Sequence, residues 1–102
     1  MPNVSVLLKM GISNTETFTN NITNTGSVQD TPVEITFNHE VLRLDIWNGS
    51  DVLYVARDSG DGTYQDEIKL EPNQFYSFDG KTKAIKIRST SNGTEYQIVG
   101  WW

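Results

Sequence analysis

KAIKIRSTSNGTEYQIVGWW, residues 83–102, decides the fold. Apolar and polar residues alternate on both sides of Asn92-Gly93, the pair favoured where a type I′ hairpin turn needs two positive φ angles. That turn predicts a register with Ile87 opposite Ile98, Ser89 opposite Tyr96 and Ile85 opposite Gly100. Ile85, Ile87, Tyr96 and Ile98 then form a core face. Ala84, Lys86, Arg88, Gln97, Val99 and Trp101 form the other, because successive strand residues point to opposite sides.

The same reasoning extends upstream. Gly49-Ser50 as a two-residue loop sets Ile46 opposite Leu53 and Leu44 opposite Val55, whereas Asn48-Gly49 would set Ile46 against Asp51. Apolar pairing selects the first register, with glycine leading a type II′ turn. Leu42, Leu44, Ile46, Leu53 and Val55 share its inner face, and Arg43, Asp45, Trp47, Tyr54 and Ala56 the outer. A third hairpin is expected at Asp79-Gly80-Lys81-Thr82, its four-residue loop placing Tyr76 opposite Ile85. Strands are predicted near 3–10, 16–23, 32–38, 41–48, 52–57, 65–70, 74–79, 83–89 and 95–101. No stretch carries apolar residues at helical spacing. The fold class is therefore all-β, a single antiparallel β-sandwich of jelly-roll or Greek-key type spanning residues 1–102.

Composition agrees. Asn, Ser and Thr supply 28 of the 102 residues and aromatics 11 more, the mixture of turn formers and strand formers such a domain needs. Between Met10 and Gln29 the one charged residue is Glu16. Residues 1–30 read as polar strands or an arm, and Asn14–Thr25 as a segment that could lie across a neighbouring subunit. Cysteine is absent and His39 is the one histidine, which excludes disulfides, thiolate chemistry and multi-histidine metal sites within one chain. Net charge is −5, from 13 acidic and 8 basic residues, which argues against nucleic acid as the main partner. No apolar run reaches the ~20 residues of a membrane span. The first residues lack the basic region of a signal peptide, so use without export is expected, and the Asn-x-Ser/Thr sequons imply no glycosylation.

Catalytic readings are thin. His39-Glu40 could pair a base with an orienting carboxylate, but nothing places a nucleophile beside them. Asp58, Asp61, Asp66 and Glu67 could serve glycoside hydrolysis, yet a chain this small offers little room for a sugar cleft. The Asp58–Thr63 loop departs from the acid spacing of an EF-hand calcium loop. Lys81, Lys83, Lys86 and Arg88 make a basic cluster, with Lys86 and Arg88 placed outward beside Trp101; the overall acidity speaks against a base-stacking platform for single strands, and the cluster reads as a charged outer strand face that guards against edge association. No cofactor, no metal and no enzyme activity are expected.

The aromatic pattern says more. Trp101 and Trp102 must face opposite ways, Trp102 inward and Trp101 outward, and Trp47 also points outward. A large outward aromatic tends to be covered, by another protein, by a sugar, or by the chain's own N-terminal segment.

The stretches VEITFNHEVLRLDIWNGSDVLYVARDS, IKLEPNQFYSFDGKTKAIKIRS and GTEYQIVGWW resemble small accessory structural proteins of tailed-bacteriophage virions. The likeness lies in the Asn48–Asp51 turn, the Leu53-Tyr54-Val55 strand, the Glu71-Pro72-Asn73 turn before an aromatic strand, Ile85–Ser89, and Gly93-Thr94 leading to Trp101-Trp102. It covers residues 33–102. It implies a β-sandwich that serves as a capsid decoration protein or a tail or fibre component, synthesised in the host cytoplasm, located in the virion and bound to other virion proteins, in symmetric copies as a homo-oligomer. Trp47, Tyr54 and Trp101 are the expected partner-binding residues. A carbohydrate-binding or receptor-binding module is the alternative, since glycans also stack on exposed aromatics flanked by Asn, Asp and Gln.

Overall fold

The computed structural model describes residues 18–58 and 60–102. Six strands build it: β1 Asn21–Val28, β2 Val33–Asn48, β3 Leu53–Asp58, β4 Ile68–Leu70, β5 Phe75–Arg88 and β6 Thr94–Trp101. All pairings between strands are antiparallel, in the order β1-β6-β2-β5-β3-β4, and the described residues contain no helix. The fold is an all-β, jelly-roll-like sandwich. The expected strand at 3–10 and residues 16–17 of the one expected at 16–23 lie outside the described residues; the strand present is β1, which begins at Asn21 and runs on to Val28, so it shares only residues 21–23 with that expectation.

Two long strands make the sandwich. β2 has 16 residues and β5 has 14, and each serves both layers. The second half of β2 and the first half of β5 join β6 and β1 in one sheet, sheet A. The first half of β2 and the second half of β5 join β3 and β4 in the other, sheet B. The change of direction is a pair of bulges. Thr36 faces Ala84 and Val41 faces Thr82, so Phe37, Asn38, His39 and Glu40 stand opposite Lys83 alone. Then Arg43 faces Asp79, leaving Leu42 opposite Gly80 and Lys81. Extra residues bend and twist a strand, which lets one ribbon turn from one layer into the other. The backbone cost falls on Asn38 at φ 62° and Gly80 at φ 123°, residue types that tolerate such angles best.

The core lies between the layers. Val41, Leu44, Ile46 and Ile98 from sheet A meet Ile35, Leu53, Val55, Leu70, Ile85 and Ile87 from sheet B, with Phe37 at the bend between them, all buried. The shortest dimension, 19 Å, suits two sheets about 10 Å apart with their outer side chains. Gly100 lies opposite Leu44 in the inner layer, and a Cβ there would stand 2.8 Å from Val41 Cγ1. Its bare backbone is what makes room for Val41.

The inward residues are largely those the alternation picks out, but the strand partners differ from the expected hairpins. β2 and β3 do not pair. Residues 49–52 carry the chain from sheet A to sheet B, and Ile46 faces Ile98 and Tyr76 in place of Leu53. Nor is Asp79–Thr82 a turn: the chain runs through it, and Tyr76 faces Ile46, not Ile85. Asn92-Gly93 does not form a type I′ hairpin either. Gly93 has φ 81°, Asn92 has no positive φ, and Gly93 N–H bonds Thr90 O at 3.0 Å. β2 lies between β5 and β6, so Ile87 pairs with Val55 and Val33 while Ile98 pairs with Ile46 and Asn24. The bulge at Leu42 resets the parity, so Leu42 points outward, 40 % exposed, rather than sharing the face of Leu44.

Where β2 ends, one fully buried polar side chain ties the layers. Asn48 Nδ2 donates to the carbonyls of Asp51 (2.8 Å), Glu71 (2.9 Å) and Leu70 (3.2 Å), and its Oδ1 accepts from Thr94 Oγ1 at 3.1 Å. These partners lie after β2, on and after β4, and on β6. Truncating Asn48 strands several buried acceptors at once. Asn48→Ala is expected to lower the unfolding free energy by about 3 kcal/mol, read by urea denaturation. Asn48→Asp is expected to cost at least as much, because a carboxylate would face carbonyl oxygens.

Candidate protein-interaction surface

The register places the outward residues of sheet A in three rows across four strands. Asn21, Trp101, Arg43 and Asp79 form one row. Thr23, Val99, Asp45 and Ser77 form the next, and Thr25, Gln97, Trp47 and Phe75 the third. The rows differ in character.

In the first two, side chains are fastened to one another. Asp45 accepts from Trp101 Nε1 at 2.7 Å, Ser77 Oγ at 2.6 Å and Arg43 Nε at 3.0 Å, while Arg43 Nη2 donates to Ser77 Oγ at 3.1 Å. Phe18 stands over Trp101 with ring centroids 6.5 Å apart, and Thr19 and Asn20 donate to the Trp102 carbonyl. Trp101 does point outward, as its parity requires. Yet it is half-buried, covered partly by the chain's own segment and fixed by Asp45.

The third row is open. Trp47 is 44 % and Phe75 52 % exposed, and they are direct cross-strand neighbours. Both stand at the outer surface, flanked by Gln97 and Thr25. The sequence pattern identifies Trp47 but not Phe75. Their adjacency depends on β2 pairing with β5, which the expected β2–β3 hairpin conceals.

Tyr54 belongs elsewhere. It lies on the outer face of sheet B, the opposite side of the sandwich, so Trp47, Tyr54 and Trp101 do not form one surface. Arg88 Cζ sits 4.2 Å over the Tyr54 ring and holds Glu67 through two 2.7 Å hydrogen bonds. Beside it, Lys86 Nζ lies 4.4 Å over Tyr64, whose hydroxyl donates to Glu34. Burial, then that bond to Glu34, pushes the Tyr64 pKa up to about 12. Lys86 and Arg88 are thus separated from Trp101 by the whole sandwich, contrary to the expected juxtaposition. The cations are engaged by aromatic faces and carboxylates of the same chain.

The candidate catalytic groups are dispersed. His39 stacks on Trp102, ring centroids 4.5 Å apart, at the bend of β2. Asp58 Oδ1 accepts from the Gly60 and Gly62 amides, and Asp61 Oδ1 from the Thr63 amide. These carboxylates shape the loop around them. Among the described residues no three acidic or histidine side chains gather as a metal would require. An open groove of about 530 Å³ lies between the end of β1 and the start of β6, bordered by Gln29, Thr31, Ser50 and Glu95.

No protein-family model and no curated protein matches the chain. Its fold is similar to that of several solved structures. A protein of Bacillus endospore appendages, described as a novel family of disulfide-linked pili, aligns with TM-score 0.53 and 15 % identity over 80 % of this chain and 84 % of its own. The Yersinia pseudotuberculosis-derived mitogen aligns with TM-score 0.49 and 18 % identity, over 80 % and 85 %. A cupin domain of an Enterobacter cloacae transcriptional regulator aligns with TM-score 0.48 and 18 % identity, over 76 % and 78 %. At these identities the likeness is one of fold.

Carboxylates also pin the crossing between the layers. Thr90 Oγ1 and the Val52 amide donate to Asp51, and Ser50 donates to Glu95 through hydroxyl and amide. The Thr90 and Val52 bonds hold the Asp51 pKa below its ordinary value. The Glu95 backbone and then Ser50 hold Glu95 down likewise, and Arg88 depresses Glu67. Depressed carboxylates contribute stability above the unfolded-state pKa and lose it as pH falls through the folded-state value. The thermal midpoint is therefore expected to be flat from pH 7 to about 5 and to fall below about pH 4, where unperturbed carboxylates protonate. Asp51→Asn is expected to flatten that acid limb in a calorimetric pH series.

Proposed function

We propose that the chain is a non-enzymatic structural protein of a tailed-phage virion, which binds another virion protein through the third row of sheet A. The adjacent, exposed Trp47 and Phe75 carry this reading. Each aromatic exposes roughly 100 Å², and covering it is worth roughly 2–3 kcal/mol at about 25 cal/mol per Å². Two such side chains side by side supply the centre of an interface, where a few aromatic anchors dominate affinity. The net charge of −5, with Asp79 exposed on the same face, favours a partner that offers an apolar pocket with a basic rim.

The resemblance over residues 33–102 supports the virion setting, as capsid decoration or as a tail or fibre part. The similarity in fold to a pilus protein fits an assembly role. With no cysteine, assembly here would be non-covalent. The reading involves no cofactor. Tyr54, on the far side, and Trp101, tied to Asp45, are set aside as anchors in favour of Trp47 and Phe75.

Mass spectrometry of purified particles, from the phage whose genome encodes the chain, is expected to find it at a fixed copy number. Its absence overturns the virion reading. Trp47→Ala with Phe75→Ala is expected to weaken addition of the purified chain to particles lacking it by 30-fold or more, about 2 kcal/mol, with folding retained. Tyr54→Ala is expected to bind as the parent does.

The flanking of Trp47 and Phe75 by Gln97 and Thr25 favours a second reading, a glycan platform. Under that reading a monomeric chain changes its tryptophan fluorescence with oligosaccharides, and Trp47→Ala abolishes the change.

A further inference from the structure

The two edges of the six-stranded arrangement are treated very differently. β4 has three residues, carries Lys69, follows Asp66-Glu67 and runs into Glu71-Pro72. Shortness, charge and proline are the usual defences of a strand edge. β1, at the other edge, has none of them. It is eight residues long, NITNTGSV, in unbroken register with β6 from Asn21–Trp101 to Val28–Thr94, and among the described strands it is the one without a charged or histidine side chain. Among the described residues no strand pairs with its outer side.

A second observation falls on the same strand. Asn24 faces inward, opposite Ile98, and its Oδ1 is buried without a hydrogen-bond partner. A buried acceptor left unpaired is costly, and among buried side-chain polar atoms of the described residues it is the one without a partner.

We propose that the β1 edge is a dimerisation surface for a second copy of this chain, pairing antiparallel with the copy's β1 about a two-fold axis at Asn24. The seam is the strand edge rather than the exposed Trp47–Phe75 face, two strands away, although Thr25 also ends their row, and the proposal does not depend on those aromatics. Four features select a second copy as the occupant. The chain carries a net charge of −5, so two copies repel, and they meet with least repulsion along the strand that carries no charge. Centring the pair on Asn24 puts Thr23 opposite Thr25 of the copy twice over, a favourable cross-strand pairing. It also brings each Asn24 against its counterpart, where turning the side-chain amide out of the monomer's interior lets the Nδ2 of one donate to the Oδ1 of the other. Finally, the edge is about 27 Å long at 3.4 Å per residue and up to 19 Å deep, or roughly 500 Å² per partner. That is below the ~800 Å² of a standard interface, so the dimer forms reversibly at high protein concentration.

Thr23→Lys with Thr25→Lys is the informative variant. Both side chains are exposed on the outer face, so folding is retained. The net charge falls from −5 to −3, and overall electrostatics alone would strengthen association. Across the proposed seam, lysine faces lysine twice, and the dissociation constant should rise about tenfold. Sedimentation equilibrium over a concentration series measures the constant, and amide exchange of Asn21–Val28 reports the seam. The expected result is a monomer–dimer equilibrium whose dimer shows added protection in β1, weakened by the double lysine variant and unaffected by Trp47→Ala. Three results overturn the proposal: a monomer at every concentration; a dimer that Trp47→Ala disrupts and the lysines do not; or β1 amides equally protected in the monomer, which would mean the chain's own residues cover that edge.

Discussion

The continuity of β2 and β5 through the bulges at Asn38 and Gly80 is the constraint on which the rest depends. A single ribbon of two antiparallel strands turns from one layer into the other, so the layers are hydrogen-bonded together rather than merely stacked. Everything else is placed by it. β6 and β1 add to one flank of the ribbon, β3 and β4 to the other, and the core fills the angle between. The bend also leaves His39 and Trp102 stacked at the corner and turns Leu42 to solvent.

The same constraint decides which aromatics are available to a partner. Because β2 pairs with β5 in sheet A, Trp47 and Phe75 become neighbours. Because β6 lies on the other side of β2, Trp101 comes within reach of Asp45. One outward tryptophan is consumed by the chain itself and another is left open, although strand parity treats them alike. Hydrogen-bonding reach, not the direction of the side chain, separates them.

Alternation in the sequence tells which side chains enter the core, and Leu44, Ile46, Leu53, Val55, Ile85, Ile87, Tyr96 and Ile98 are all buried as the pattern implies. It does not tell which strands are partners, because a period of two is the same whichever neighbour lies alongside. Turn residues and apolar register point to hairpins at Gly49-Ser50, Asp79–Thr82 and Asn92-Gly93. Each of these turn-like sequences has another use here. Gly49 sits in the crossing between layers, Gly80 accommodates a bulge inside a strand, and Gly93 closes a turn that leads β6 away from β5. Asn48 reads as a turn residue and proves to be the buried tie between the layers. Its role follows from three segments converging on it, which no local pattern records.

The position of β6 between β1 and β2 has a consequence for biosynthesis. As the nascent polypeptide leaves the ribosome, β1 and the second half of β2 both await a strand that is translated after them. Until Thr94–Trp101 emerges, sheet A has a gap in its middle, and the apolar side of β2 has no Ile98 or Gly100 to pack upon. Closure therefore joins residues far apart along the chain, the arrangement associated with slow folding. The sandwich is completed after elongation has passed its last strand, not progressively during it.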